Sequence, residues 1–136
     1  VELAMPVIYK IDPVRRVIRT TCSDPLTLGE VVEHFKMLSE DPDCAGHLDV
    51  LLDLGETRSL PASRQLGAVN TALETVREKV QFNLCAIVAK TDAMFGMMRM
   101  FEVLAGRYFG AIRVFRDAAQ AEAWLLGQKS AGDSDQ

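Results

Sequence analysis

Apolar residues along this chain recur at two periods. Val7-Ile8-Tyr9-Lys10-Ile11 and Val14 to Cys22 are runs rich in β-branched residues, and Asp12-Pro13 between them suits a tight turn because proline fixes φ. An N-terminal β-hairpin is predicted. Thr27-Leu28-Gly29-Glu30 has the spacing of a capping box, and the apolar positions Leu28, Val31, Val32, Phe35 and Leu38 follow at helical period until Asp41-Pro42-Asp43. Leu48 to Leu54 is a nearly continuous apolar run too short for a helix, as expected of a strand covered on both faces. A second helix is predicted from Pro61, with Leu66, Val69, Leu73, Val76 and Val80 as its stripe. Phe82 to Ala89 repeats the buried-strand pattern, and Asp92 is placed to cap a third helix reaching about Phe109. Ala111 to Phe115 reads as a last strand, Asp117 to about Gly127 as a last helix carrying Trp124 and Leu125, and 128–136 as a flexible polar tail.

The order is ββαβαβαβα. Strands alternating with helices predict an α/β domain over 1–127, with a mostly parallel five-stranded sheet, its first strand antiparallel, and four helices. The length of 136 residues suits one core, and neither a repeat nor a low-complexity linker interrupts it.

Leu48-Asp49-Val50-Leu51-Leu52-Asp53-Leu54, followed by a polar loop and a helix, resembles the strand of STAS domains that ends in Asp-Leu/Phe-Ser. With the element order, it makes the chain similar to the SpoIIAA-like fold that STAS domains share with lipid-binding CRAL-TRIO domains. The resemblance implies a binding role rather than catalysis. STAS antagonists carry Asp-Ser-Ser-Gly at the start of the following helix, where phosphorylation switches partner binding. This chain has Pro61-Ala62-Ser63-Arg64, with Ser63 at the place of the second serine, and Gly55 in place of the serine before the loop.

Charge and composition narrow the partners. A net charge of −4 leaves no basic balance for a phosphate backbone, so no nucleic-acid partner is expected. Cys22, Cys44 and Cys85 form no CxxC or Cys/His spacing, His34 and His47 have no ligand partner three or four residues away, and no metal or other cofactor is expected. The apolar runs are too short to cross a bilayer, and a reducing, cytoplasmic setting follows from the cysteines. The hairpin is locally basic through Lys10, Arg15, Arg16 and Arg19, with Arg15, Val17 and Arg19 alternating onto one side.

Two groups of residues are candidates for function. A parallel sheet gathers strand carboxyl ends and helix N-termini on one edge, where free amides favour anions. Asp53, Thr57, Arg58, Ser59, Ser63, Lys90 and Asp92 belong there, as a ligand or phosphate site or as helix caps and loop residues. An enzyme using Asp53, Ser59, Ser63 or Lys90 is a further possibility, although no GxSxG, HExxH, GxGxxG or P-loop spacing occurs. The second group lies in Ala93 to Phe101, which holds four of the six methionines. On a helix Met94, Met97, Met98, Phe101, Leu104, Ala105 and Tyr108 share a core face, while Phe95, Met100 and Val103 are left over. Phe95, Met97, Met100 and Val103 are therefore candidates for an interface, with a homodimer or protein partner expected there and an apolar small ligand as the alternative.

Overall fold

The computed structural model describes residues 7–24, 27–44, 46–57 and 65–134. Its elements run β1 (Val7–Asp12), β2 (Val17–Ser23), α1 (Leu28–Glu40), β3 (Gly46–Glu56), α2 (Gln65–Val76), β4 (Val80–Val88), α3 (Asp92–Leu104), β5 (Ala111–Phe115) and α4 (Ala118–Ser134). The sheet order is β1-β2-β3-β4-β5, with β1 antiparallel to β2 and every other pair parallel. This is the predicted ββαβαβαβα α/β topology.

Each parallel crossover steps one strand in the same direction, so right-handed connections place α1, α2 and α3 on one face of the sheet. The larger core lies there, joining Ile18, Leu48, Leu73, Ile87, Met98 and Phe101. α4 follows the last strand and packs on the opposite face, where Ala121 and Leu125 meet Val17, Leu51, Leu84, Ala86 and Val88. With helices on both sides, β3 and β4 need apolar residues at nearly every position, which explains their unbroken runs.

One irregularity in the sheet has a clear chemical basis. Leu48 pairs with Phe82 but Val50 with Cys85, so β4 carries an extra residue opposite Asp49. The buried Asp49 carboxylate accepts a hydrogen bond from the Leu84 amide at 3.0 Å, satisfying a donor beside the break in the ladder. The extra residue also turns Phe82, Cys85 and Ile87 to the side of the three helices and Leu84, Ala86 and Val88 to that of α4.

Several boundaries differ from the sequence expectation. β2 starts at Val17 rather than Val14, because 13–16 form the turn: Asp12 Oδ1 accepts from the Val14 and Arg15 amides, and Arg16 takes a positive φ of 56°. Arg15 therefore does not alternate with Val17 and Arg19, and Arg19 is ion-paired with Glu122 of α4. β3 is longer than 48–54 at both ends. α2 ends at Val76, and Val80 is the first residue of β4, paired with Gly46, because a turn through Arg77 and Lys79 breaks the helix. The predicted start of that helix at Pro61 lies outside the described residues.

The cap of α3 is Thr91, whose hydroxyl accepts from the Met94 amide, and Asp92 is the first helical residue. α3 stops at Leu104, before Phe109, and a 3₁₀ turn over Gly106–Tyr108 leads to β5. Gly110 crosses close to β4, where an added Cβ would stand 2.6 Å from Asn83 Oδ1 and 3.2 Å from its carbonyl oxygen. The backbone of α4 continues past the expected end near Gly127 to Ser134.

Candidate functional site

The carboxyl edge of the sheet and the interior hold different groups. At the edge, Asp53 Oδ1 accepts a hydrogen bond from the Gly55 amide at 2.8 Å, and a Cβ on Gly55 would lie 3.0 Å from both that oxygen and Lys90 Cε. Asp53, Gly55 and Lys90 are thus brought together. Asp92 is not turned to the same group, since it pairs with Arg116 at 2.8 Å, and Arg116 also donates to the Lys90 carbonyl. Thr57 is buried, with its hydroxyl lacking a hydrogen-bond partner among the described residues. Arg58, Ser59 and Ser63 lie outside the described residues.

Between the sheet and α1, α2 and α3 lies an apolar cavity of about 390 Å³. Val50 and Leu52 show its position directly. They sit in the middle of the central strand and face the helices, yet both are only half-buried, whereas Leu48 and Leu54 on the same side are 1% and 5% exposed. Residues at the centre of a covered sheet keep accessible surface only where the covering layer stands off. The helical wall consists of Val31, His34, Phe35 and Leu38 of α1, Leu66 and Val69 of α2, and Met94, Met98 and Phe101 of α3. Val7, Cys22 and Thr27 bring the cavity to the carboxyl edge of the sheet at the start of α1.

No charged side chain lines this space among the described residues. Its polar groups are the two threonines Thr20 and Thr27, two thiols and one imidazole. Thr27 serves as the cap of α1, its hydroxyl accepting from the Glu30 amide at 3.2 Å. Burial pushes the Cys22 thiol up to about 12, with the Asp53 charge adding to it, and raises Cys85 further still, so both remain protonated and behave as small apolar groups. Their side chains are free thiols, as is that of the buried Cys44.

His34 and Thr20 form the polar spot. Thr20 Oγ1 and His34 Nε2 are 3.4 Å apart, a long contact between residues that are 2% and 8% exposed. The Tyr9 ring meets the imidazole edge-on at 5.3 Å, and the Phe35 ring lies 5.6 Å away on the other contact. Tyr9 is itself fixed by donating its hydroxyl to Asp41 at 2.8 Å. Burial holds the His34 pKa down at about 4, so the ring is neutral at neutral pH.

The apolar stripe expected for α1, Leu28, Val31, Val32, Phe35 and Leu38, does not include His34. In the structure Val32 is exposed, Val31 and Phe35 are half-buried, and His34 and Leu38 are buried. The signal was present in the spacing: His34 stands three residues after Val31 and four before Leu38, on their side of the helix.

The Met-rich helix divides. Met94, Met98 and Phe101 are buried against the cavity, while Phe95 and Met97 are half-buried against the main core, and the Arg116 guanidinium lies over the Phe95 ring at 4.2 Å. α4 is on the other face of the sheet and does not cover this helix. Met100, Val103 and Leu104 are 46%, 82% and 43% exposed, so Leu104 leaves the core face predicted for it, where the helix gives way to the 3₁₀ turn.

Among the described residues, no helix is long and apolar enough to cross a membrane, and no group of three or more His, Cys, Asp and Glu is disposed to hold a metal ion. No protein-family model and no curated protein matches the chain.

Proposed function

We propose that this domain is a non-catalytic binding module that takes an apolar small molecule into the cavity between its sheet and α1, α2 and α3. The cavity itself carries the reading. Protein interiors pack as densely as organic crystals and hold few voids larger than a water molecule. A space of about 390 Å³ that reaches the sheet edge is many times larger than such a void. Water is a poor filler, because a buried water needs two to four polar partners and this wall offers few. At interior packing density the space suits a molecule of about fifteen to twenty non-hydrogen atoms. The resemblance to the fold shared with lipid-binding CRAL-TRIO domains agrees with such a role, and three buried free thiols agree with a reducing, cytoplasmic setting.

Titrating the protein into a dilute solution of anthracene, followed by fluorescence anisotropy, is expected to give saturable binding of one molecule per chain. A dissociation constant in the micromolar range is expected for a ligand of this size. Failure to saturate at any attainable protein concentration would exclude the reading.

A second reading, in which the module acts through a protein partner or as a homodimer, is favoured by the row of Met100, Val103 and Leu104 on α3. It predicts a sedimentation coefficient that rises with concentration. Val103→Asp should abolish that rise without changing anthracene binding, whereas a concentration-independent monomer would remove the homodimer.

A further inference from the structure

We infer that the ligand of this cavity is an uncharged molecule whose apolar body carries one hydroxyl or carbonyl group, held by the Thr20–His34 pair. The inference rests on the cavity being a ligand site and concerns the chemistry of what enters it.

The pair leaves the same hydrogen-bonding capacity whichever way its internal proton points. If His34 donates from Nε2 to the Thr20 oxygen, Nδ1 remains an acceptor and the Thr20 hydroxyl retains its proton as a donor. If Thr20 donates to Nε2, Nδ1–H is the remaining donor and the hydroxyl oxygen an acceptor. In both cases one donor and one acceptor remain on the pair, and both of its residues line a wall otherwise made mainly of aliphatic, aromatic and sulfur-bearing side chains. A hydroxyl, which both donates and accepts, meets both; a carbonyl, which only accepts, meets the donor alone. Buried polar groups in native proteins are nearly always paired, and Thr20 is the hydrogen-bond partner of His34 among the described residues.

The same wall selects against charge. An ionised carboxylate or phosphate placed inside requires a cation or several strong donors, and none of the lining residues is Lys or Arg. An ammonium group lacks a carboxylate partner in the same way. The neutral imidazole, clamped by Tyr9 and Phe35, supplies dipoles rather than charge.

Displacement of anthracene from the full chain at neutral pH by decanol and by decanoate tests this inference. Decanol is expected to compete at a concentration at least tenfold lower than decanoate. Thr20→Val keeps the shape of the side chain and should weaken decanol about tenfold relative to anthracene, the equivalent of one hydrogen bond. His34→Leu removes the other partner and should give the same loss, so either variant alone suffices if the other does not fold. Decanoate competing as well as decanol, or decanol unaffected by both substitutions, would overturn the inference and leave apolar binding standing. Absence of anthracene binding to the unmodified protein would instead remove the cavity reading on which the inference depends.

Discussion

Replacing Val50 with phenylalanine is expected to weaken anthracene binding tenfold or more while leaving the domain at least as stable as before. Val50 lies in the middle of β3, faces the helices and remains half-buried because the cavity stands in front of it. The larger ring enters space that the ligand would otherwise occupy. Each additional buried methylene-sized group contributes about 0.8 kcal/mol, provided it displaces no neighbour. Ala86 supplies the contrast. It is fully buried on the α4 side, among Val17, Leu84, Val88, Ala121 and Leu125, outside the cavity. Ala86→Val forces two further carbons into a filled layer and is expected to cost about 1–3 kcal/mol. Urea denaturation midpoints of the two variants, measured beside the anthracene titration, give both answers. If Val50→Phe destabilises as much as Ala86→Val, the space in front of β3 is not there.

The second large effect is on acid stability. His34 has a folded pKa of about 4 against an ordinary value of 6.5, because burial disfavours the imidazolium. The unfolded chain therefore takes up the proton first as pH falls. The contribution of His34 is fully present above about pH 6.5, declines between 6.5 and 4, and levels off below that, where both states are protonated. A shift of this size corresponds to about 3 kcal/mol over the window. Two carboxylates are held below their usual range, Glu74 by the Tyr108 hydroxyl and by Arg77 and Arg107, and Asp12 by the Arg15 and Val14 amides. The quantity to measure is the difference in unfolding free energy between pH 7 and pH 4.5 for the unmodified protein and for His34→Gln. The variant is expected to lose markedly less over this interval. Identical losses would mean that the imidazole is solvated in the native state.

The two sites were legible to different degrees. The edge group could be assembled from sequence because βα units place strand ends and helix starts together, and Asp53 and Lys90 do converge around Gly55. That Asp92 is instead held by Arg116, from just after β5, depends on a contact across 24 residues that no local pattern contains. The cavity was less accessible. A stripe of apolar residues has the same appearance whether it meets its neighbour or stands back from it, so Val50, Leu52, Met94 and Met98 read as ordinary core. His34 was masked by its polarity, although its spacing placed it among them.

What the sequence by itself determined was the order of elements and the faces they bury. Those follow from local causes: the turn at Asp12-Pro13, the Thr27 cap, the apolar stripes and the unbroken runs of a doubly covered sheet. The tertiary structure decided where the extra residue of β4 falls, which residues of the Met-rich helix remain outside, and how far three helices stand from the sheet. The last of these is set by the joint packing of side chains from separate elements. A cavity is the remainder of that packing, and no single segment encodes it.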